Sequence, residues 1–270
     1  MAALMEGAFF DLDKTIIARS SALALGRSFF REGLIGRSAL LKGMYAQLVF
    51  HLMGADEQKM ERLRDDAARL TSGWEQKKVR QVVNEVLDEV ISPLIYAEAL
   101  ELIAEHREAN RLVCIVSSSP GEIVEPLARM VGADEWIATQ SEVVDGYFTG
   151  KLDFYAYGPH KAEAIQALAE RREIDLAGSY AYTDSATDLP MLELVGHPVA
   201  VNPDRDLRKI AHSRTWDIES FKNPVSLRDR LPSIEIPQVT AQNAAVAAAG
   251  VAAVAAAAWW LARKTGGKSE

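Results

Sequence analysis

The chain has 270 residues, of which 49% are hydrophobic and 25% charged, so it can bury a substantial core as one large domain or two small ones. Its net charge of −8, with no basic stripe, argues against a nucleic-acid partner. The single cysteine, Cys114, excludes an intramolecular disulfide framework and fits a reducing compartment. Acidic residues arrive too early for a signal peptide, so we expect the amino-terminal part to stay in the cytoplasm.

The first apolar segment, AFFDLDKTII at 8–17, predicts a buried strand that ends in two acids, Asp11 and Asp13. In open α/β sheets, ligands bind at the carboxyl ends of the strands. Two carboxylates so close together repel each other unless a cation lies between them or one holds a proton. These residues alone leave two interpretations open: a catalytic pair, or two solvated acids at a strand end.

Residues 16–93 have almost no strand character and predict an all-helical insert, a small bundle that would form a cap domain. The clearest helix carries valines at three- and four-residue steps, which is typical of an amphipathic helix. Those valines are Val79, Val82, Val83, Val86 and Val90. Further helices are predicted over 20–30, 38–52 and 55–70.

An α/β pattern resumes after Pro93 and, with residues 1–15, predicts a core at 94–215: a Rossmann-like, mostly parallel sheet. Predicted strands cover 111–116, 179–183 and 199–201, predicted helices cover 97–109 and 161–172, and Asp145-Gly146 predicts a hairpin turn within 136–151. Ser119 is expected to cap the next helix, with Pro120 at its first position and Glu122 closing a capping box.

Residues 244–262 form a nineteen-residue stretch without a charge, which ends in Trp259 and Trp260 before Arg263-Lys264. Its length predicts a carboxyl-terminal hydrophobic helix that just spans a membrane, with residues 216–243 as a linker. The catalytic part would then be anchored to the cytoplasmic membrane. The alternative is an alanine-rich helix packed on the body of the protein.

Four polar clusters fall at successive strand ends or helix starts: Asp11 with Asp13, Ser117, Lys161, and Asp184 with Asp188. Each has an ordinary interpretation by itself, as a helix cap or an exposed lysine. Together they supply a nucleophile, a hydroxyl donor, a cation and hard oxygen ligands that favour Mg²⁺, which is what phosphoryl transfer requires. Asp184 and Asp188 would share one face if a helix began at Asp184.

The sequence resembles the haloacid dehalogenase superfamily in four motifs: DLDKT at 11–15, VSSS at 116–119, HKAEA at 160–164 and TDSATDLPML at 183–192. Their order and spacing match over residues 8–203. The helical insert between the first two motifs, with the segments SSSPGEIVEPLA and PVAVNPD, resembles the subfamily that contains phosphoserine phosphatases.

This resemblance implies a Mg²⁺-dependent phosphomonoester hydrolase that forms an aspartyl phosphate on Asp11, with Asp13 as the acid and base. Ser117, Ser118 and Lys161 would hold the phosphoryl group. The resemblance also implies that Mg²⁺ is bound by the carboxylates of Asp11 and Asp184 and the backbone carbonyl of Asp13, while Asp188 orients a metal-bound water or Lys161.

The sequence departs from the family pattern at two positions. Thr183 stands where a glycine usually precedes the aspartate of the fourth motif, and we expect this to be tolerated. Ser20 stands where phosphoserine phosphatases place a glutamate that holds the ammonium of the substrate. A serine cannot neutralise an ammonium, so we expect a small phosphorylated metabolite other than phosphoserine, or a lysophospholipid-type phosphate.

Arg19, Arg27 and Arg31 are candidates to meet such an anionic or larger ester. Two non-hydrolase interpretations are the alternatives: a membrane-tethered scaffold that retains the fold without catalysis, and a phospho-aspartate receiver. Receivers are about half as long as this chain and lack a helical insert.

Overall fold

The computed structural model describes residues 5–36, 65 and 68–224. These residues form a seven-stranded sheet in the order β4-β3-β2-β1-β5-β6-β7. The strands are β1 (Met5–Phe10), β2 (Leu112–Pro120), β3 (Glu135–Val144), β4 (Tyr147–Phe154), β5 (Ile174–Thr183), β6 (His197–Val201) and β7 (Asp217–Glu219). All neighbouring strands are parallel except β3 and β4, which confirms the predicted mostly parallel α/β core.

Both faces of this sheet are covered by helices, which fits the continuous buried apolar runs at 8–10 in β1 and 112–116 in β2. The helices are α1 (Ser21–Arg31), α2 (Gln76–Val86), α3 (Ala97–Glu108), α4 (Gly121–Val131), α5 (Pro159–Arg172), α6 (Leu189–Glu193) and α7 (Arg205–Arg214). In β1, Ala8 and Phe10 join an apolar cluster with α2, α3 and α4, whereas Phe9 joins a second cluster with α5, α6 and α7. This alternation follows from the two-residue period of a strand.

The strand β1 lies where the order of the sheet reverses direction. From β1 the chain builds β2, β3 and β4 on one side, and β5, β6 and β7 on the other. Such a reversal leaves a crevice at the carboxyl ends of the strands, where ligands bind in doubly wound sheets. The fold therefore places the acids that follow β1 at the centre of this edge.

The segment between β1 and α3 leaves and re-enters the core at adjacent points. Ile17 pairs antiparallel with Ile95, and the amide of Ala18 donates to the carbonyl of Leu94 at 2.8 Å. Its described residues include α1, α2 and a π-helical turn at Leu87–Ile91, and the predicted valine face of α2 is buried. The predicted helix at 38–52 and most of the one at 55–70 lie outside the described residues, so the cap boundaries 16–93 stay a prediction.

The returning part of this segment also bonds to β4. The amide of Gly73 donates to the carbonyl of Phe148 at 2.8 Å, and the amide of Phe148 donates to the carbonyl of Trp74 at 3.0 Å. The hairpin that carries β4 turns at Asp145 and Gly146, which have φ of 52° and 86°. Positive φ at both central residues is the geometry of a two-residue hairpin turn, as the sequence predicted.

Three local expectations differ from the structure. The helix α4 begins at Gly121 without a side-chain cap, because the Ser119 hydroxyl and the Glu122 carboxylate are engaged elsewhere, by Asp13 and by Gln76. Residues 184–188 do not start an α-helix: a 3₁₀ turn capped by Ser185 covers Ala186–Asp188. Asp184 and Asp188 therefore do not share a helix face.

The end of the chain differs in part from the sequence-based prediction. Residues 217–219, assigned to a linker by sequence, form β7, and Phe221 after it is buried. A strand of three residues is too short to show the alternation of apolar and polar side chains that predicts a strand, so the sequence did not predict β7. The remaining linker and the predicted membrane helix at 244–262 lie outside the described residues. Among the residues described, no helix is long and apolar enough to cross a bilayer.

Candidate active site

Asp11 and Asp13 lie in the loop that follows β1, at the carboxyl edge of the sheet. The amide of Asp11 donates to the carbonyl of Tyr182 in β5 at 2.8 Å, which extends the parallel pairing to the first acid. Lys14 then adopts a left-handed conformation, with φ of 64°. The strand β1 has ended at Phe10, and this turn follows both acids, so Asp11 and Asp13 lie between the strand and the turn.

Lys161, near the start of α5, connects the loops after β1 and β5. Its ammonium lies 2.6 Å from Oδ1 of Asp11 and 2.7 Å from Oδ2 of Asp188, and all three side chains are at least nine-tenths buried. Burial alone would lower the pKa of Lys161, but the two carboxylates raise it above its usual value. The ammonium is therefore charged, and it neutralises part of the buried negative charge.

Thr183 makes a hydrogen bond that was not predicted from the sequence. Its hydroxyl donates to Oδ2 of Asp188 at 2.8 Å, the same oxygen that Lys161 contacts. A glycine at this position could not make this bond. Thr183 therefore helps to hold Asp188, and Asp188 in turn holds the ammonium of Lys161.

Asp184 follows β5 and is anchored by its backbone. Its carbonyl accepts a hydrogen bond from the amide of Asp204 at 2.8 Å, and the Asp204 carboxylate accepts from the amide of Ala186 at 2.9 Å. The nearest cation to its carboxylate is Lys14, at 3.8 Å. Burial, with Asp188 and Asp204 adding to it and Lys14 opposing, raises the pKa of Asp184 to about 7.

Asp13 is held by two serines that sequence reasoning did not assign to the site. The amide of Ser21 donates to its Oδ1 at 2.8 Å, and the hydroxyl of Ser119 donates to its Oδ2 at 3.3 Å. Burial raises the pKa of Asp13 above its ordinary value, and these bonds oppose the rise. Ser119 carried a signal, as a serine after a buried strand, but that signal was interpreted as a helix cap.

Ser117 and Ser118 lie near the carboxyl end of β2, beside this loop. Ser117 is buried, and its hydroxyl accepts a hydrogen bond from the amide of Ser119 at 3.1 Å. The side chain of Ser118 is exposed, while its carbonyl accepts from the hydroxyl of Thr139 at 2.7 Å. Hydrogen bonds and ion pairs thus join five of the predicted site residues: Asp11, Asp188 and Lys161 in one group, and Asp13 with Ser117, through Ser119, in another.

Among the described residues at this edge, buried negative charge exceeds buried positive charge. The carboxylates of Asp11, Asp184 and Asp188 are buried. The Lys161 ammonium is buried with them, and Lys14 is partly exposed. Burial raises the pKa of Asp11 well above its usual range, with Asp188 and Asp184 adding to the effect and Lys161 opposing it. A divalent cation would relieve this excess and keep Asp11 ionised.

The donor set fits Mg²⁺ better than a metal that requires a full protein cage. Within the described residues, no three His, Cys, Asp or Glu side chains are grouped as metal ligands. Mg²⁺ typically takes one or two carboxylates and fills its remaining positions with water and substrate phosphate. The carboxylates of Asp11 and Asp184 and the backbone carbonyl of Asp13 would supply donors of this kind.

A family model of haloacid dehalogenase-like hydrolases matches residues 8–193. The chain belongs to this family. A probable phosphatase of Mycobacterium tuberculosis is 51% identical to this hydrolase over 244 residues, which cover 90% of this chain and 84% of that protein. A phosphoserine phosphatase of the same organism is 34% identical over 247 residues, covering 91% and 79%.

The fold of the hydrolase is also that of a solved phosphoserine phosphatase, captured as an analogue of its phospho-aspartyl intermediate. The two structures align with a TM-score of 0.60 and 19% identity, covering 84% of this chain and 97% of that one. The likeness concerns the fold, whereas the family match and the relatives identify the protein as a phosphatase of the haloacid dehalogenase-like family.

Proposed function

We propose that this phosphatase is a Mg²⁺-dependent phosphomonoester hydrolase that works through an aspartyl phosphate on Asp11. The observation that carries the proposal is the buried Lys161 ammonium, which contacts Asp11 and Asp188 at 2.6 and 2.7 Å beside a second acid, Asp13. A nucleophile, a fixed cation and a general acid at one sheet edge are the groups that phosphoryl transfer requires.

In the first step, a carboxylate oxygen of Asp11 attacks phosphorus and the bond between phosphorus and the leaving oxygen breaks. Asp13 gives its proton to that oxygen, so the alcohol departs neutral. In the second step, Asp13 takes a proton from water as the water attacks the aspartyl phosphate. Inorganic phosphate leaves, and the Asp11 carboxylate and protonated Asp13 are restored.

The phosphoryl oxygens would be held by Lys161, Ser117 and Ser118. Lys161 stands at the beginning of α5, where the helix dipole adds to the attraction for an anion. The Asp11 and Asp184 carboxylates and the Asp13 carbonyl would bind Mg²⁺, which supplies positive charge against the phosphoryl oxygens. Asp188 holds Lys161 in place.

The substrate is a phosphomonoester without an ammonium group near the phosphate, such as a small phosphorylated metabolite or a lysophospholipid-type phosphate. Ser20, at the start of α1, brings no negative charge beside Asp13, and the neighbouring Arg19 is exposed and cationic. An assay in detergent should therefore favour lysophosphatidate over L-phosphoserine, and a clear preference for phosphoserine would contradict this assignment.

The central test is the turnover of an aryl phosphate by the wild type and by Asp11→Asn. We expect EDTA to abolish turnover, Mg²⁺ to restore it, and Asp11→Asn to lower kcat by about a thousandfold or more. Acid trapping of ³²P on the wild type, but not on Asp11→Asn, would report the covalent phosphate. Wild-type rates in Asp11→Asn would show that Asp11 is not the nucleophile.

A further inference from the structure

Both carboxyl oxygens of Asp13 are held by serines from two distant segments of the chain. Ser21 is the first residue of α1, and its amide donates to Oδ1 at 2.8 Å. Ser119 lies near the end of β2, and its hydroxyl donates to Oδ2 at 3.3 Å. The two hydroxyls lie 2.9 Å apart, so Ser21 touches Asp13 directly and also through Ser119.

The two serines are shielded from solvent, whereas Asp13 is partly buried. Ser21 is 0% exposed and Ser119 is 6% exposed, so bulk water does not readily replace the contact between their hydroxyls. Buried hydroxyls need partners, and each of these finds one in the other. The Asp13 carboxyl is consequently held in one plane by groups that are themselves fixed.

The donors also determine where a proton on Asp13 resides. A backbone amide can only donate, so Oδ1 must remain an acceptor, and the proton of the acid form belongs on Oδ2. That oxygen is the one that Ser119 contacts. The Ser119 hydroxyl is therefore adjacent to the atom that changes charge when Asp13 releases its proton.

We propose that Ser21 and Ser119 are positioning residues for Asp13, which aim its proton and stabilise the carboxylate that remains after transfer. The inference rests on the proposed function of Asp13 as the general acid. When the proton moves from Oδ2 of Asp13 to the leaving oxygen, Oδ2 becomes anionic and accepts from the Ser119 hydroxyl, which accepts from Ser21. Hydrogen bonds to an anion are stronger than those to a neutral acid, so this network favours the transition state.

Such a role predicts a dependence on the leaving group. The phenolate released from an aryl phosphate is stable and needs little protonation, whereas an alkoxide must be protonated as it leaves. Loss of the Ser119 hydroxyl should therefore slow an alkyl phosphate much more than an aryl phosphate. A merely structural role would slow both substrates by the same factor.

The experiment measures kcat/KM of the full chain with Mg²⁺ for p-nitrophenyl phosphate and ethyl phosphate, because kcat/KM reports the first step, in which the leaving group departs, and not the hydrolysis of the aspartyl phosphate that both substrates share. We expect Ser119→Ala to lower kcat/KM for ethyl phosphate by about tenfold to a hundredfold, and for the aryl ester by less than about threefold. Ser21→Ala keeps the amide contact, so its effect should be smaller.

The matched control is Ser28→Ala, which removes another buried hydroxyl from α1 and should leave both rates unchanged. Ser119→Thr keeps the hydroxyl and should recover most of the ethyl phosphate activity. Equal losses for both substrates, or no loss for ethyl phosphate, would overturn the inference even if Asp11→Asn is inactive. Wild-type activity in Asp11→Asn would instead overturn the proposed function, and this inference with it.

Discussion

The Lys161 ammonium is buried between two carboxylates. Removing it would leave their charges uncompensated. It is 3% exposed and contacts Asp11 and Asp188 at hydrogen-bond distance. Buried ion pairs are often close to neutral for stability as a whole, but removing one partner is expensive because the other charges stay uncompensated. Lys161 thus has both a structural and a chemical role.

Replacement of Lys161 by methionine should therefore reduce both stability and activity. We expect a loss of about 3 kcal/mol in the free energy of unfolding, from the two unpaired carboxylates. The kcat for an aryl phosphate should fall by about a hundredfold or more, because a preorganised cation has been removed. Urea unfolding and steady-state kinetics would measure the two effects.

The control is Lys209→Met, which removes an exposed lysine that pairs with Asp206 on α7. This variant should retain the wild-type unfolding midpoint and kcat. If Lys161→Met kept wild-type activity, Lys161 would have no role in holding the phosphoryl group.

His106 is a buried titratable residue outside the proposed chemistry. Its Nε2 lies 2.8 Å from the hydroxyl of Tyr182, and its ring packs edge-on against Phe10. Burial, and then the Arg111 charge, lower the pKa of His106 to about 4, with Glu6 opposing. The histidine is neutral in the folded protein at neutral pH.

The stability of the protein should consequently fall as the pH decreases from about 6.5 to about 4. The unfolded chain takes up a proton on this histidine within that range and the folded chain does not, so protonation favours unfolding. We expect a contribution of about 1 to 3 kcal/mol, complete below the folded pKa. Urea unfolding between pH 4 and 7.5 should show a weaker slope for His106→Phe, whereas exposed His212→Gln should keep the wild-type slope.

At the level of secondary structure, the described residues just before α2 contact the sheet at the β3–β4 hairpin. Gly150 in β4 has φ of 85°, and a Cβ there would lie 3.0 Å from Cβ of Ser72 and 3.3 Å from Cα of Arg69. Gly146 at the hairpin turn has φ of 86°, but a Cβ there would meet no described atom within 4 Å. A substitution at Gly146 therefore tests backbone strain alone, whereas a substitution at Gly150 tests backbone strain together with steric contact.

Alanine at these two glycines should destabilise the protein to different degrees. Gly146→Ala should cost about 1 kcal/mol in unfolding free energy, from the positive φ alone. Gly150→Ala should cost about 1 to 2 kcal/mol more, because its Cβ pushes the 69–72 turn away from β4. Equal losses in urea unfolding would show that the turn yields freely and is not held against β4.

Local patterns predicted the elements whose signals are complete within a few residues. The apolar run before Asp11 predicted β1, and Asp145-Gly146 predicted the hairpin turn. The Ser119 prediction failed because a capping box is a local pattern, whereas the partner that Ser119 meets, Ser21, lies 98 residues away in sequence. A contact of that range depends on the assembled sheet, so no short window of sequence contains it.

For the whole molecule, the sequence still predicts that residues 244–262 contact a membrane, and that this contact is separate from catalysis. A chain ending at residue 230 should lose any association with sedimented cell membranes or anionic vesicles, while the full chain keeps it. Its kcat for a soluble aryl phosphate should equal that of the full chain. Equal distribution of both proteins between membrane and supernatant would contradict the membrane prediction.

The pairing of Ile17 with Ile95 has an evolutionary consequence. Because the segment between them begins and ends at neighbouring backbone positions, the sheet imposes no length on it, and the entropic cost of a longer loop grows only slowly. Descendants of an ancestral hydrolase could therefore exchange or enlarge the part of this segment that follows α1 without disturbing the carboxylates and the lysine, as long as the start of α1 keeps the Ser21 amide on Asp13. New substrate preferences would then arise by replacing an interchangeable module, while the reaction itself was inherited intact.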